Sequence, residues 1–275
     1  MSGNPNAIGR LRPLSIGNVV SAGARLYRSH FKTYLKLALF AYLWLLIPIY
    51  GWAKYFAISG LIARLAFGEL TNHPESVKTA RQQVNRRLWS FLRLAVLIGW
   101  LFIGVYLGIA IAMGILWVAM FFIAVSSLAG TIAITTLIIV ILAIGLISII
   151  WLVSRLLLPE VPLAIETDIT VRQSIARSWA LTKAVVLRVI GIVVVASLIT
   201  LPIVLLMSII PDLLISRLEP GTTVYSIVFP VLLILRIVSG IFVLPFWQAI
   251  KATLYYDLRS RKEGLDLQLR NPNSV

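Results

Sequence analysis

Between Ser15 and Phe31, Ile16, Val19, Val20, Gly23, Leu26, Tyr27 and Phe31 recur three and four residues apart, with Asn18, Ser21, Arg25, Arg28 and Lys32 on the other side. That period predicts an amphipathic basic helix suited to a headgroup layer, with Ser15 as its N-cap. The pattern returns twice. Val77, Ala80, Val84, Leu88 and Phe91 face Lys78, Gln82, Asn85, Arg86 and Arg93, behind an Asn72–Glu75 pair at capping-box spacing. Val171, Ile175 and Trp179 share a face, Arg172, Arg177 and Lys183 supply charge, and Thr170 and Gln173 repeat the capping-box spacing.

Each basic helix leads into an apolar stretch. The first runs from about Tyr34 to Ile49, breaks at Pro48 and Gly51 amid Trp44, Tyr50, Trp52 and Tyr55, and resumes from Trp52 to Gly68. This second piece carries Lys54 and Arg64 and reads either as a short return span with snorkelling cations or as a surface helix. From Leu94 to Ser154 there is no Asp, Glu, Lys or Arg. These ~60 residues would make a helix about 90 Å long, and one crossing takes roughly 20 residues. Two spans are therefore expected, about Leu92–Val125 and Ile132–Leu156, divided near Ser126–Thr131. A fifth runs from about Val185 to Ile210 with a kink at Pro202, and a last helix from about Tyr225 to Arg259.

The expectation is an all-α, polytopic membrane protein with six transmembrane helices in three hairpins, each preceded by a basic amphipathic surface helix. The units are about 15–68, 75–157 and 170–259 of one integral membrane domain, followed by a polar tail over 260–275. Laying Ala24–Leu37 over Ala176–Val189 matches Ala24 with Ala176, Arg25 with Arg177 and Tyr27 with Trp179, and Leu35-Lys36-Leu37 with Leu187-Arg188-Val189. Arg87-Leu88-Trp89 aligns more loosely with Arg25-Leu26-Tyr27.

Composition agrees with this reading. Of the 275 residues 60% are apolar and 13% charged, and the mean hydropathy is +0.96, whereas soluble domains carry about 25% charged residues. The net charge is +15. Lys54, Arg217 and Arg236 excepted, the Lys and Arg residues fall on one side of a six-span chain, which the positive-inside rule makes cytoplasmic along with both termini. Their partners are then anionic lipid headgroups rather than nucleic acid, with a membrane protein as a second candidate partner. The polar start of the chain lacks the apolar core of a cleavable signal peptide. With no cysteine, thiol chemistry and thiolate metal sites are excluded.

Few residues suggest chemistry. Arg236 interrupts a long apolar helix, which fits either an anionic headgroup or solute site, or an arginine at the far interface paired with Asp212 or Glu219. Glu160 and Glu166 flank Pro162 before the third basic helix. They read as an acid/base pair or as neutralisers of Arg155 or Arg172, the second being favoured. No nucleophile–base–acid order, phosphate loop or metal-ligand spacing occurs, so no enzyme activity and no cofactor are expected.

Ala176-Arg177-Ser178-Trp179-Ala180-Leu181-Thr182 after the acidic link, and the ending Tyr255-Tyr256-Asp257-Leu258-Arg259-Ser260-Arg261-Lys262-Glu263, resemble the bacterial glycerophosphoryl diester phosphodiesterase membrane-domain family. The resemblance implies a stand-alone membrane module, without the family's attached catalytic domain, in the bacterial cytoplasmic membrane or another internal bacterial membrane. No catalytic residue carries over. In the tail, Tyr255 and Tyr256 are expected at the inner interface, Arg259, Arg261 and Lys262 at anionic headgroups, and Asp257 paired with Arg261. Three functions follow in order of support: a non-catalytic scaffold or accessory factor binding lipids or protein partners, a transporter or channel-like module for a small or anionic solute, and a lipid phosphodiesterase.

Overall fold

The computed structural model describes residues 15–123 and 128–263, all helix and connections with no strand among them. The helices are α1 (Ile16–Ser29), α2 (Phe31–Trp44), α3 (Tyr50–Leu70), α4 (Val77–Arg86), α5 (Leu88–Ile123), α6 (Leu128–Arg155), α7 (Glu160–Ile165), α8 (Val171–Thr182), α9 (Val186–Val204), α10 (Ile210–Ile215) and α11 (Thr223–Glu263). A π-helical turn, Leu205–Ile209, joins α9 to α10 just after Pro202, where proline removes a backbone donor. Of the expected division at Ser126–Thr131, Leu128–Thr131 already belong to α6; the remainder, and most of the expected polar tail, fall on 124–127 and 264–275, outside the described residues.

Three times an amphipathic helix meets an apolar one across a break of one to three residues: at His30, at Arg87 and over Lys183–Val185. Ser15 caps α1, accepting from the Asn18 amide at 3.2 Å. Thr170 and Gln173 form the expected capping box of α8. At α4 the cap is Ser76, accepting from the Thr79 amide at 3.1 Å, and not Asn72. Glu75 is turned instead toward Arg64.

The molecule has two parts. The first is a packed platform formed by α1–α4, α7, α8 and the second half of α11. The α3 helix is its axis, with Ala53, Ala57, Leu61, Ile62 and Ala66 buried against α11, α2, α5, α4 and α7. It runs parallel to α11, since Ser59 meets Gln248 and Phe67 meets Tyr255. α1 lies antiparallel on α11, with Gly23 against Ile250 and Tyr27 donating to the Phe242 carbonyl at 3.1 Å. The apolar faces of α1 and α4 therefore close on protein, through Val19, Val20, Ala80 and Val84, and their polar faces are the ones left exposed. On α8 the fully buried positions are Ser174, Ser178, Leu181 and Thr182, of which the two serines and the threonine are small enough to admit close approach, while Val171, Ile175 and Trp179 are half-buried.

The second part is a set of long, bare, apolar helices. Four segments are long and apolar enough to cross a membrane: Leu88–Phe121, Ala129–Ile165, Val186–Ile215 and Thr223–Glu263. The first expected hairpin is not among them. α2 has 14 residues, about 21 Å at helical rise, and α3 carries Lys54, Arg64 and Glu69 in a largely buried surface. Of the glycines on apolar helices, Gly240 receives the Tyr42 ring, whereas Gly104, Gly108 and Gly114 have no neighbour within 4 Å of a Cβ.

Candidate functional site

Long-range side-chain hydrogen bonds gather on the link between the long α6 and α8. α7 is six residues long and buries Val161, Pro162, Leu163 and Ala164. Buried carbonyls at a helix end need donors, and two arginines from elsewhere in the chain supply them. Arg64 of α3 donates from Nη1 to the Ala164 carbonyl at 2.7 Å, and Glu75 holds its guanidinium at 2.9 and 2.6 Å. Arg87, in the α4–α5 break, donates to the carbonyls of Leu163 at 3.1 Å, Glu166 at 2.5 Å and Ile169. Ser174 donates to the Pro159 carbonyl.

Glu160 and Glu166 have separate partners, neither of them the expected Arg155 or Arg172. Lys251 of α11 donates to Glu160. Glu166 Oε1 accepts from Arg177 Nε at 2.6 Å and from the Tyr255 hydroxyl at 2.5 Å. Arg177 also donates to Glu263 at 2.8 Å, and Arg259 donates to Glu263 at 3.0 Å. Burial works against the Arg177 charge, but Tyr255 and Glu166 outweigh it and raise the guanidinium above its ordinary value. Arg155 has another setting: its guanidinium lies between Trp151 and Trp179, 5.4 and 5.2 Å from their ring centres, and donates to the Trp179 carbonyl at 3.1 Å. Arg172 is exposed.

Asp257 pairs with Arg261 at 3.1 Å, as its helical spacing predicts, and also with Arg188 of α9 at 2.8 Å. At 3% side-chain exposure it needs both cations. Tyr255 and Tyr256 are buried against Phe67, at 5.8 and 6.3 Å between ring centres, so their rings face protein. Lys262 donates to the Ala180 carbonyl at 2.6 Å. Arg236 meets Asp212 at 2.9 Å, with 63% and 47% of the two side chains exposed, so the pair lies on the outside of the helices. Arg25 is exposed, together with Arg28, Lys32 and Lys36.

Two hollows adjoin the link. An open cleft of about 1020 Å³ is lined by Glu166, Asp168, Gln173, Arg177, Arg259 and Lys262 among others. A cavity of about 320 Å³ has apolar walls from Phe56, Phe91, Leu94 and Ile98 and the Glu160–Lys251 pair at its edge. Among the described residues no group of three or more His, Asp or Glu could hold a metal ion.

The structure thus gathers Glu160, Glu166, Arg177, Tyr255 and Arg259 around one link and leaves Arg25 and Arg236 elsewhere. Sequence reasoning missed Arg64, Arg87, Arg188 and Lys251. For Lys251 a signal existed: Gln248, Lys251, Tyr255, Arg259 and Lys262 recur three and four apart, a polar stripe on one face of α11. The chain matches no family model, no curated protein and no solved structure.

Proposed function

We propose that this chain is a non-catalytic integral membrane protein whose basic platform holds anionic lipid headgroups, with its four long apolar helices as the anchor. One observation carries the reading. Glu75, Glu160, Glu166, Asp257 and Glu263 each sit in an ion pair within the platform, and Glu69 meets His30. Arg25, Arg28, Lys32 and Lys36 on α1 and α2, and Lys78, Arg81 and Arg86 on α4, are exposed with no carboxylate partner among the described residues. Carboxylates spent inside leave cations outside, and near an anionic surface each is worth about 1 kcal/mol. The positive-inside rule favours the cytoplasmic side for this face and for both termini, and the family resemblance favours a bacterial inner membrane.

The same pairs bear on the competing functions. Glu160 and Glu166 are engaged by Lys251 and Arg177, an arrangement suited to fastening helices together rather than to proton transfer. Arg236 is matched by Asp212 on an exposed face, which lends no support to a solute path there. The test is the lipid retained by the full-length chain after purification from native membranes. The wild type is expected to keep anionic lipid in excess of its share of the membrane, and Arg25→Gln, Arg28→Gln, Lys32→Gln and Lys36→Gln combined to lose most of that excess. Equal retention by both proteins would refute the proposal.

A further inference from the structure

We infer that the α2–α3 hairpin is a wedge that enters only the near leaflet of the bilayer, its apolar tip seated among the acyl chains of that leaflet. The inference does not depend on how the exposed cations bind lipid.

Depth is set by packing against α11. The Tyr42 ring fills the space where a side chain at Gly240 would sit, which places the two at one level. From Gly240, α11 continues to Thr223, a further rise of roughly 25 Å. From Tyr42 the hairpin has only Leu43–Ile49 in which to turn before α3 starts at Tyr50, so half of that segment climbs and half returns. The tip stands no more than about 8 Å above Tyr42, far short of the end of α11.

The chemistry of the tip matches that depth. Phe40, Leu43, Leu46, Ile47 and Ile49 are exposed, Leu46 by 78%. Immediately below, Lys54 lies 5.9 and 5.5 Å from the ring centres of Trp44 and Tyr50 and donates to Asn85 at 3.1 Å. Tryptophan, tyrosine and lysine together mark the headgroup level. Lys54 is four residues from the start of α3, about 6 Å along the axis. A bare apolar tip this close to a headgroup-type cluster has room for the outer part of one leaflet and not for a crossing of roughly 30 Å. The turn is also closed tightly. Ile49, a β-branched residue, has φ +60°, and a Cβ at Gly51 would fall 1.8 Å from the Trp44 carbonyl oxygen. The chain therefore holds its apolar tip together against backbone preference.

The chain has no cysteine, so single cysteines report without background. Leu46→Cys, Lys78→Cys and Glu219→Cys replace exposed residues at the tip, on the platform and in the α10–α11 loop. Each is reconstituted in liposomes and treated with a membrane-impermeant maleimide from either side; a nitroxide at residue 46 is then probed with oxygen and a water-soluble nickel chelate. The expected result is reaction of residue 78 from one side and of residue 219 from the other. Residue 46 should react from neither, its nitroxide shielded from nickel and open to oxygen at a depth within the leaflet on the residue-78 side. Reaction of residue 46 from the residue-219 side would establish a crossing hairpin and overturn the inference. Free reaction from the residue-78 side would place the tip in water and overturn it equally.

Discussion

Glu166 takes two donors on one carboxylate oxygen, from Arg177 and Tyr255, and so ties the end of α7 to α8 and α11. Hydrogen bonds to a charged group are worth about 1.5–3 kcal/mol, and the lower part of that range suits this partly exposed pair. Glu166→Gln is expected to lower unfolding free energy by about 1.5 kcal/mol in a denaturant titration at neutral pH. Asp168→Asn, at an exposed neighbour outside the ion pairs, should change it by less than about 0.5 kcal/mol. Alkaline stability follows from Tyr27. Burial pushes its phenol up to about 12, so the folded chain keeps it protonated to higher pH than the unfolded chain, which titrates near 10. The contribution is fully present below pH 10 and is lost as pH rises toward 12. Between those values Tyr27→Phe should lose stability less steeply than the wild type. At this scale the sequence reveals pairs within one helical turn: Asp257 with Arg261, Thr170 with Gln173, Ser15 over Asn18. Arg64 with the Ala164 carbonyl, or Lys251 with Glu160, joins positions about 90 residues or more apart, and no local period encodes such a meeting.

Hydrophobic period located the helices well, because a 3.6-residue stripe depends only on neighbouring positions. It did not reveal what each stripe faces. The stripe of α1 reads as a bed for headgroups, yet Val19 and Val20 are buried within the protein and Gly23 lies against Ile250 of α11, since burial against protein and against lipid leaves the same pattern. Likewise Trp52–Gly68 reads as a short return span or a surface helix, and its apolar residues are largely buried against protein, with α3 as the axis of the platform. Packing gives an expected contrast between two glycines of one helix. A Cβ at Gly23 would come 2.6 Å from Ile250 Cδ1 and 3.1 Å from its Cα, whereas Gly17 has nothing within 4 Å. Gly23→Leu should destabilise by about 1–3 kcal/mol, and Gly17→Ala should stabilise by about 0.5–1 kcal/mol; thermal unfolding of both measures the difference. Arg87 serves three carbonyls of the link, so Arg87→Ala should cost about 2–4 kcal/mol and speed protease cleavage between Glu166 and Thr170.

For the whole molecule, the claim is a division of labour between charges. Internal carboxylates bind the platform together through Lys251, Arg177, Arg188 and Arg64, and the cations left over on α1, α2 and α4 are exposed, facing lipid in the function proposed above. The excess of positive charge is visible in the sequence, but which cations are spent inside and which are left outside is decided only by the fold. The most direct measurement is electron paramagnetic resonance of spin-labelled lipids around the reconstituted full-length chain. The motionally restricted fraction is compared for phosphatidylglycerol and phosphatidylcholine at low and high salt. The expected result is a restricted fraction larger for phosphatidylglycerol at low salt, with the preference reduced by high salt, as surface charges are screened over about 10 Å at 0.1 M, and reduced again in the variant with glutamine at positions 25, 28, 32 and 36. Equal restricted fractions for the two lipids at low salt would contradict the account.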